Sequence, residues 1–221
     1  MREERGLQME GFTLGSPSLV CRWRLASRGL PLENRHLRAL GGRTVNGAPV
    51  PTALVAWAKQ HIEWTLAEGA AAHPDGVLML LVDERGRAAM TVGPYEPLSP
   101  TTASALADRA RLASREAAQT GVAPESLWVL SGSRLIWGIG PDERPSGAAS
   151  LMADLARTLG FAMERREGLA LELLDGTVER DEVLLVSDEH GIVAASDAPT
   201  RRAERFVEGY RRLLDSFGRR R

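Results

Sequence analysis

Apolar positions along this chain follow two rhythms. Alternation in "SLVCRWRL" (Ser18 to Leu25) predicts a half-buried strand, which "RGLP" then turns. In "LENRHLRAL", Leu32, His36, Leu37 and Leu40 fall at helical spacing. "GGRTVNGAPVP" reads as a Gly/Pro-rich loop. A helix follows over "TALVAWAKQHIEWTLAEG", with Thr52 placed to cap its start and Gly69 to stop it. Its stripe is Leu54, Trp57, Ala58 and Ile62, which turns Lys59 outward into an expected i,i+4 surface pair with Glu63. After the loop "AAAHPDG", the run "VLMLLVDERGRAAMTVG" reads as two strands around the turn "DERGR".

Three prolines between Pro94 and Pro100 interrupt the pattern. They make residues 96–101 a linker between an N-terminal α+β subdomain, 1–95, and a C-terminal α/β subdomain, 102–221. The second half opens on the alanine-rich helix "ASALADRARLASREAAQTG", ended by Gly121. "SLWVLSGSRLIWGIG" reads as a hairpin, "AASLMADLARTLG" as a helix closed by Gly160, and "FAMERREG" as a strand. "LALELLDGTV" suits a helix or a strand, and "DEVLLVSDEHGIVAAS" reads as a hairpin with a solvated turn at "DEHG". "APTRRAERFVEGYRRLLDSFG" forms a final amphipathic helix. The order of elements is α+β, in two mixed halves without internal repeat.

Composition narrows the partners. Hydrophobic residues make up 43% of the 221, charged residues 26%, and the formal net charge is −1. That balance gives no electrostatic reason to expect nucleic acid or an anionic membrane. No apolar run approaches the roughly 20 residues of a spanning helix. The N-terminus "MREERGLQMEGF" lacks the apolar centre of a secretory signal, so the expected location is cytoplasmic. A single cysteine, Cys21, rules out an intrachain disulfide and fits a small core residue in its strand. The tail "FGRRR" reads as a frayed, solvated end. Lys59 is the only lysine, every other member of the 28 Lys+Arg being arginine.

The second half resembles the C-terminal part of class IV (fold-type IV) pyridoxal-phosphate enzymes, which include branched-chain and D-amino-acid aminotransferases and aminodeoxychorismate lyase. The resemblance rests on "MADLARTLGFAMERR" (Met152 to Arg166), similar to the family's "lA-x-x-lG" helix and following strand. It rests also on "DEVLLVSDEHGIVAAS" (Asp181 to Ser196), similar to "DEvFlt" with "gi-x-pv". The first half looks compatible, with "HLRAL" in the place of an "H-x-x-R-L" helix, and the likeness spans roughly Ser18 to Ser196. It implies a two-subdomain α+β fold, a homodimer with its site near the subunit interface, and pyridoxal phosphate held by a lysine.

The residues that this resemblance implies for the cofactor have changed. The place of the family's lysine, just before the alanine-rich helix, reads "SPTTAS" (Ser99 to Ser104) and holds no amine. The arginine of "H-x-x-R-L" corresponds to Ala39, and Arg38 lies about 100° around the helix from it. The family's "G-I-T-R" helix start, whose amides face the phosphate, resembles "SGAAS" (Ser146 to Ser150). The threonine beyond the "DEvFlt" strand corresponds to Asp188, next to Ser187, and a carboxylate there repels a phosphate unless protonated or paired. The glutamate that meets the pyridine nitrogen has no counterpart in "SLWVLSGSRLIWGIG".

The expectation is therefore a class IV aminotransferase-like protein that does not hold pyridoxal phosphate through a Schiff base, and that binds a small molecule or serves as a partner subunit. Two alternatives stay open. One is an active aminotransferase or lyase with pyridoxal phosphate on Lys59, and the other is an enzyme of different chemistry using His36, Arg38 or the "SDEH" turn. Catalytic candidates are Lys59 and His36, and cofactor-binding candidates are Arg38, Gly147, Ala148 and Ser187. No metal-ligand spacing, P-loop, nucleophile elbow or dinucleotide fingerprint is present. His36 reads as a satisfied histidine on an apolar helix face, with no partner visible in sequence. Asp188, Glu189 and His190 read as turn residues, and Trp57 and Trp64 as core or dimer contacts.

Overall fold

The computed structural model describes residues 13–218. The charged N-terminal stretch and the terminal arginines read above lie outside the described residues. The first half is a three-stranded antiparallel sheet with two helices packed on it. Strand β1 (Pro17–Arg24) is followed by α1 (Glu33–Gly41), β2 (Thr44–Val45), β3 (Ala48–Pro49), α2 (Thr52–Gly69), β4 (Val77–Asp83) and β5 (Ala88–Gly93), with sheet order β1-β4-β5. Register pairs Cys21 with Leu80 and Trp23 with Leu78. The inward positions of β1 and β4 meet Leu37, Leu40, Ala58 and Ile62 from the helices in one core.

Two local expectations are corrected here. The segment read as a plain loop holds the β2–β3 hairpin, turned by Asn46 and Gly47, both at positive φ (54° and 74°). Thr52 does not cap α2: Pro51 occupies the cap position with no side-chain bond, and Gly69 is the last helical residue, followed by Ala70.

The second half is a five-stranded sheet covered on both faces. Its elements are α3 (Ala103–Thr120), β6 (Glu125–Ser131), β7 (Arg134–Trp137), α4 (Gly147–Thr158), β8 (Ala162–Arg165), α5 (Leu169–Leu174), β9 (Glu182–Ser187), β10 (Gly191–Ala194) and α6 (Glu204–Gly218). The strand order is β10-β9-β6-β7-β8, with β7 and β8 parallel and the other pairs antiparallel. Burial on both faces is why "LWVL" and "VLLV" are unbroken apolar runs. Trp128, Leu130, Leu184 and Val186 meet Met152 and Phe206 on one face. Leu127, Val129, Val183 and Leu185 meet Leu106, Ala110 and Leu173 on the other. α5 is a helix, resolving the open reading there.

The halves meet where α1 lies against α4. Arg35 donates from Nη1 to Ser150 Oγ at 3.0 Å and from Nη2 to Asp154 Oδ2 at 2.7 Å across this contact. Among the described residues, no helix is long and apolar enough to cross a membrane.

Candidate functional site

The site is built around the start of α4. Ser146 caps that helix, its Oγ accepting the Ala149 N–H at 3.2 Å. The next free amide, that of Ala148, donates at 2.7 Å to Oδ1 of Asp188. Asp188 follows β9 and is fixed by its own backbone: its N–H donates to the Pro124 carbonyl and its carbonyl accepts from the Arg24 N–H. Its second oxygen, Oδ2, stands 3.6 Å from Nδ1 of His36 on α1. Both side chains are enclosed, His36 at 2% exposure and Asp188 at 4%. The imidazole is stacked on Trp23 with ring centroids 5.3 Å apart.

Burial by itself raises the Asp188 carboxyl. The His36 ring, the Ala148 amide and the more distant Arg43 outweigh it and hold the group below the usual carboxylate range. Arg43, itself buried, donates to Glu116 Oε1 at 3.1 Å and Thr120 Oγ1 at 3.3 Å. Burial pushes the Cys21 thiol up to about 11, which suits a core residue and not a thiolate nucleophile.

A second cluster adjoins the first through the same turn. Arg109 on α3 grips Glu125 on β6 with both arms of its fork, Nε to Oε2 at 2.9 Å and Nη2 to Oε1 at 2.6 Å. Ser187 donates its hydroxyl to Glu125 Oε1 at 3.0 Å, and Ser187 Oγ in turn accepts the amides of Glu189 and His190. His190 keeps 7% side-chain exposure, and Nε2 lies 4.0 Å from both Glu125 and Glu189. Burial lowers its pKa; Arg109 and Arg24 add to that effect, against the raising fields of Glu189 and Glu125. The Arg24 guanidinium lies over the Tyr95 ring, 3.3 Å from its centroid.

Beside this cluster a cavity of about 340 Å³ opens between β1 and α3. Val20, Leu112 and Pro124 give it apolar walls, and Arg22, Glu116 and Glu189 give it charge of both signs. Arg22 and Glu189 face each other loosely, 3.6 Å apart and partly solvated. A larger cavity of about 640 Å³ lies elsewhere, between α3 and the start of α5.

The predicted site residues divide between these places. Gly147, Ala148 and His36 come together at the start of α4, while Ser187 belongs to the Arg109–Glu125 cluster. Arg38 is exposed on the outer side of α1. Lys59 is exposed on α2, borders neither cavity, and makes no ion pair with Glu63 or any other acid among the described residues. Two readings are corrected. The "SDEH" turn is not solvated, because Asp188 and His190 fold inward under α4 and Tyr95. His36 is not a satisfied histidine: its Nδ1 is buried without a hydrogen bond, and its charged neighbour, Oδ2 of Asp188 from the other half of the chain, stands 3.6 Å away. Sequence reasoning missed Arg43, Arg109 and Glu125; arginines scattered through an arginine-rich chain carry no local sign of which are buried. Among the described residues, no group of three or more His, Cys, Asp or Glu side chains converges as a metal site.

Neither a protein-family model nor a curated protein matches this sequence. Solved structures do match its shape. A fold IV-transaminase from Curtobacterium pusillum superposes with a TM-score of 0.60 at 14% identity, covering 96% of this chain and 91% of its own. The pyridoxal-phosphate-bound form of a hypothetical aminotransferase from Mycobacterium tuberculosis gives 0.59 at 16% identity, with 95% and 94% covered. A putative 4-amino-4-deoxychorismate lyase from Legionella pneumophila gives 0.56 at 12%, with 94% and 96% covered. The chain has the class IV aminotransferase fold. At these identities the likeness is one of architecture, and activity has to be argued from the site. In this chain the amide at the start of α4 is occupied by the Asp188 carboxylate.

Proposed function

We propose that this chain is a class IV aminotransferase-like protein that does not use pyridoxal phosphate through a Schiff base, and that it binds a small molecule in the cleft between β1 and α3. One observation carries the reading: the amide of Ala148, at the helix end suited to a phosphate, is already taken at 2.7 Å by the buried carboxylate of Asp188. A phosphate brought there would meet that carboxylate in a poorly hydrated space, which is repulsive. The residues present do not fit the cofactor elsewhere either. Its aldehyde needs an amine, and the chain's one lysine side chain is exposed on α2, away from the cleft. Arg38, the remaining candidate for the phosphate, is exposed on α1.

What the cleft offers is recognition. Arg22 and Glu189 present opposite charges across a partly apolar opening, which suits a small zwitterion. Glu125 is saturated by Arg109 and Ser187, so it serves to hold the wall rather than to move protons. A homodimer, as the fold resemblance implies, is part of the proposal, and light scattering on the purified chain tests it.

The decisive experiment adds pyridoxal phosphate to the purified protein and scans about 390–430 nm, where an internal aldimine absorbs. The expected result is no such band and no label fixed by borohydride. A band that disappears in Lys59→Ala overturns the reading and returns the protein to active cofactor chemistry. In parallel, thermal stabilisation by free amino acids is expected to weaken in Arg22→Ala.

A further inference from the structure

The arrangement at the start of α4 exceeds what capping a helix requires. Ser146 already caps α4 from its own sequence position. A second acceptor, Asp188, comes from a turn forty residues further on and is fully enclosed. Facing it is a buried imidazole nitrogen, Nδ1 of His36, which has no hydrogen-bond partner among the described residues. That nitrogen also abuts Gly147: a Cβ on the glycine would come within 2.4 Å of it. The helix end, the imidazole and the glycine thus enclose one small volume, and a carboxylate fills it. The same stretch of chain sends carboxylates to two other helix starts, Asp197 to Ala103 and Glu182 to Ala203. Neither has a histidine within 4 Å among the described residues, as Asp188 has in His36, and Asp197 is exposed.

We propose that Asp188 is an internal ligand in a latent oxyanion site made by the start of α4 and His36, and that removing its carboxylate opens this site to a small external oxyanion. The chemistry is that of a helix N-terminus, with about half a positive charge and outward amides, joined by an imidazole that can donate a further hydrogen bond. The proposal rests on the reading above that the chain's own carboxylate holds this place, but its test involves no cofactor. It assigns the chain a device: an architecture able to take an external anion carries one of its own, so the two halves lock together without a bound molecule. The lock joins β9, α4 and α1, elements from both halves.

Chemical rescue tests it. Formate is the probe, because it matches the carboxylate that Asp188→Gly deletes, and chloride at equal ionic strength is the control. The variant is expected to melt lower than the parent and to regain about 3–5 °C in formate at ten times its dissociation constant. The parent and Asp197→Ala are expected to show no saturable formate effect. Adding His36→Gln to Asp188→Gly is expected to weaken formate binding at least about tenfold, the loss of one charge-assisted hydrogen bond. Should Asp188→Gly fail to fold, Asp188→Ser takes its place; failure of both to fold in formate overturns the proposal. So does a formate response no greater than that of chloride, an equal response in Asp197→Ala, or indifference to His36. The two readings fail separately: a Schiff-base band in the parent protein sinks the earlier one, and absence of formate rescue sinks this one.

Discussion

Arg109 and Glu125 form a two-point contact, Nε to Oε2 at 2.9 Å and Nη2 to Oε1 at 2.6 Å, between the middle of α3 and the start of β6. The carboxylate is almost enclosed while the guanidinium keeps 37% exposure, so water screens one partner only. The hydrogen bonds that Arg109 donates to Glu125 raise its pKa further and outweigh the opposing effect of burial. The contact fixes the wall of the cleft, since Ser187 hangs from the same carboxylate and its own Oγ holds the amides of the β9–β10 turn.

Breaking that contact is expected to weaken the fold in a coupled way. Glu125→Ala removes the acceptor for two donors and Arg109→Ala leaves a buried carboxylate short of its partner, at about 1–3 kcal/mol each after allowance for the exposed arginine. The double variant is expected to be less destabilised than the sum by about 1–2 kcal/mol, measured by urea unfolding. Strict additivity would mean that the pair does not act as a unit.

Gly147 predicts a steric effect. A methyl group there would meet His36 Nδ1 at 2.4 Å and Cε1 at 2.9 Å. The ring cannot retreat freely, because Trp23 is stacked on it and Asp188 flanks it. Gly147→Ala is therefore expected to cost about 1–3 kcal/mol, despite alanine's better helix propensity, as read from the shift in urea midpoint. A gain in stability would mean that His36 is loosely held.

How much of this could be read beforehand depends on the range of the interaction. The alternation of β1 and the stripe of α2 are local, and both elements fall where the periodicity put them. The order of elements in the second half was legible for the same reason, including the helix that ends at Gly121, whose φ of 79° suits glycine. Asn46-Gly47 carried a hairpin signal that the surrounding glycines and prolines masked. The site itself was legible only in part. Residues Asp188 to His190 have the composition of a turn, and a turn they are; nothing local says that α1 and α4 will close over them. Partnership between His36 and Asp188 exists only once the two halves have met.

His190 makes the stability of the fold depend on pH. Burial and the fields of Arg109 and Arg24 depress its pKa; Glu125 and Glu189 oppose this, and Tyr95 packs against the ring. A depressed folded-state value means that the unfolded chain takes up the proton first. The neutral ring's contribution is thus fully present above the unfolded value of about 6.5 and is lost as pH falls through the lower folded value. Replacing His190 by Gln is expected to flatten the fall in unfolding free energy as pH drops below about 6.5. An unchanged slope would show that other groups produce it.

The lone lysine gives the last prediction. Lys59 sits on the exposed side of α2, with Ala58 and Ile62 turned to the core behind it. Without an acid partner among the described residues, it contributes a solvated charge and an aliphatic stem, and its loss touches no packed atom. Lys59→Ala and Lys59→Gln are each expected to change stability by less than about 0.5 kcal/mol, a melting shift of about 2 °C or less. An amine-directed ester is expected to label Lys59 in the folded protein without unfolding it, with peptide mass mapping as the readout. Protection of that amine in the native chain, released on denaturation, would place Lys59 against a partner surface. It would return the lysine to the list of groups whose chemistry the protein uses.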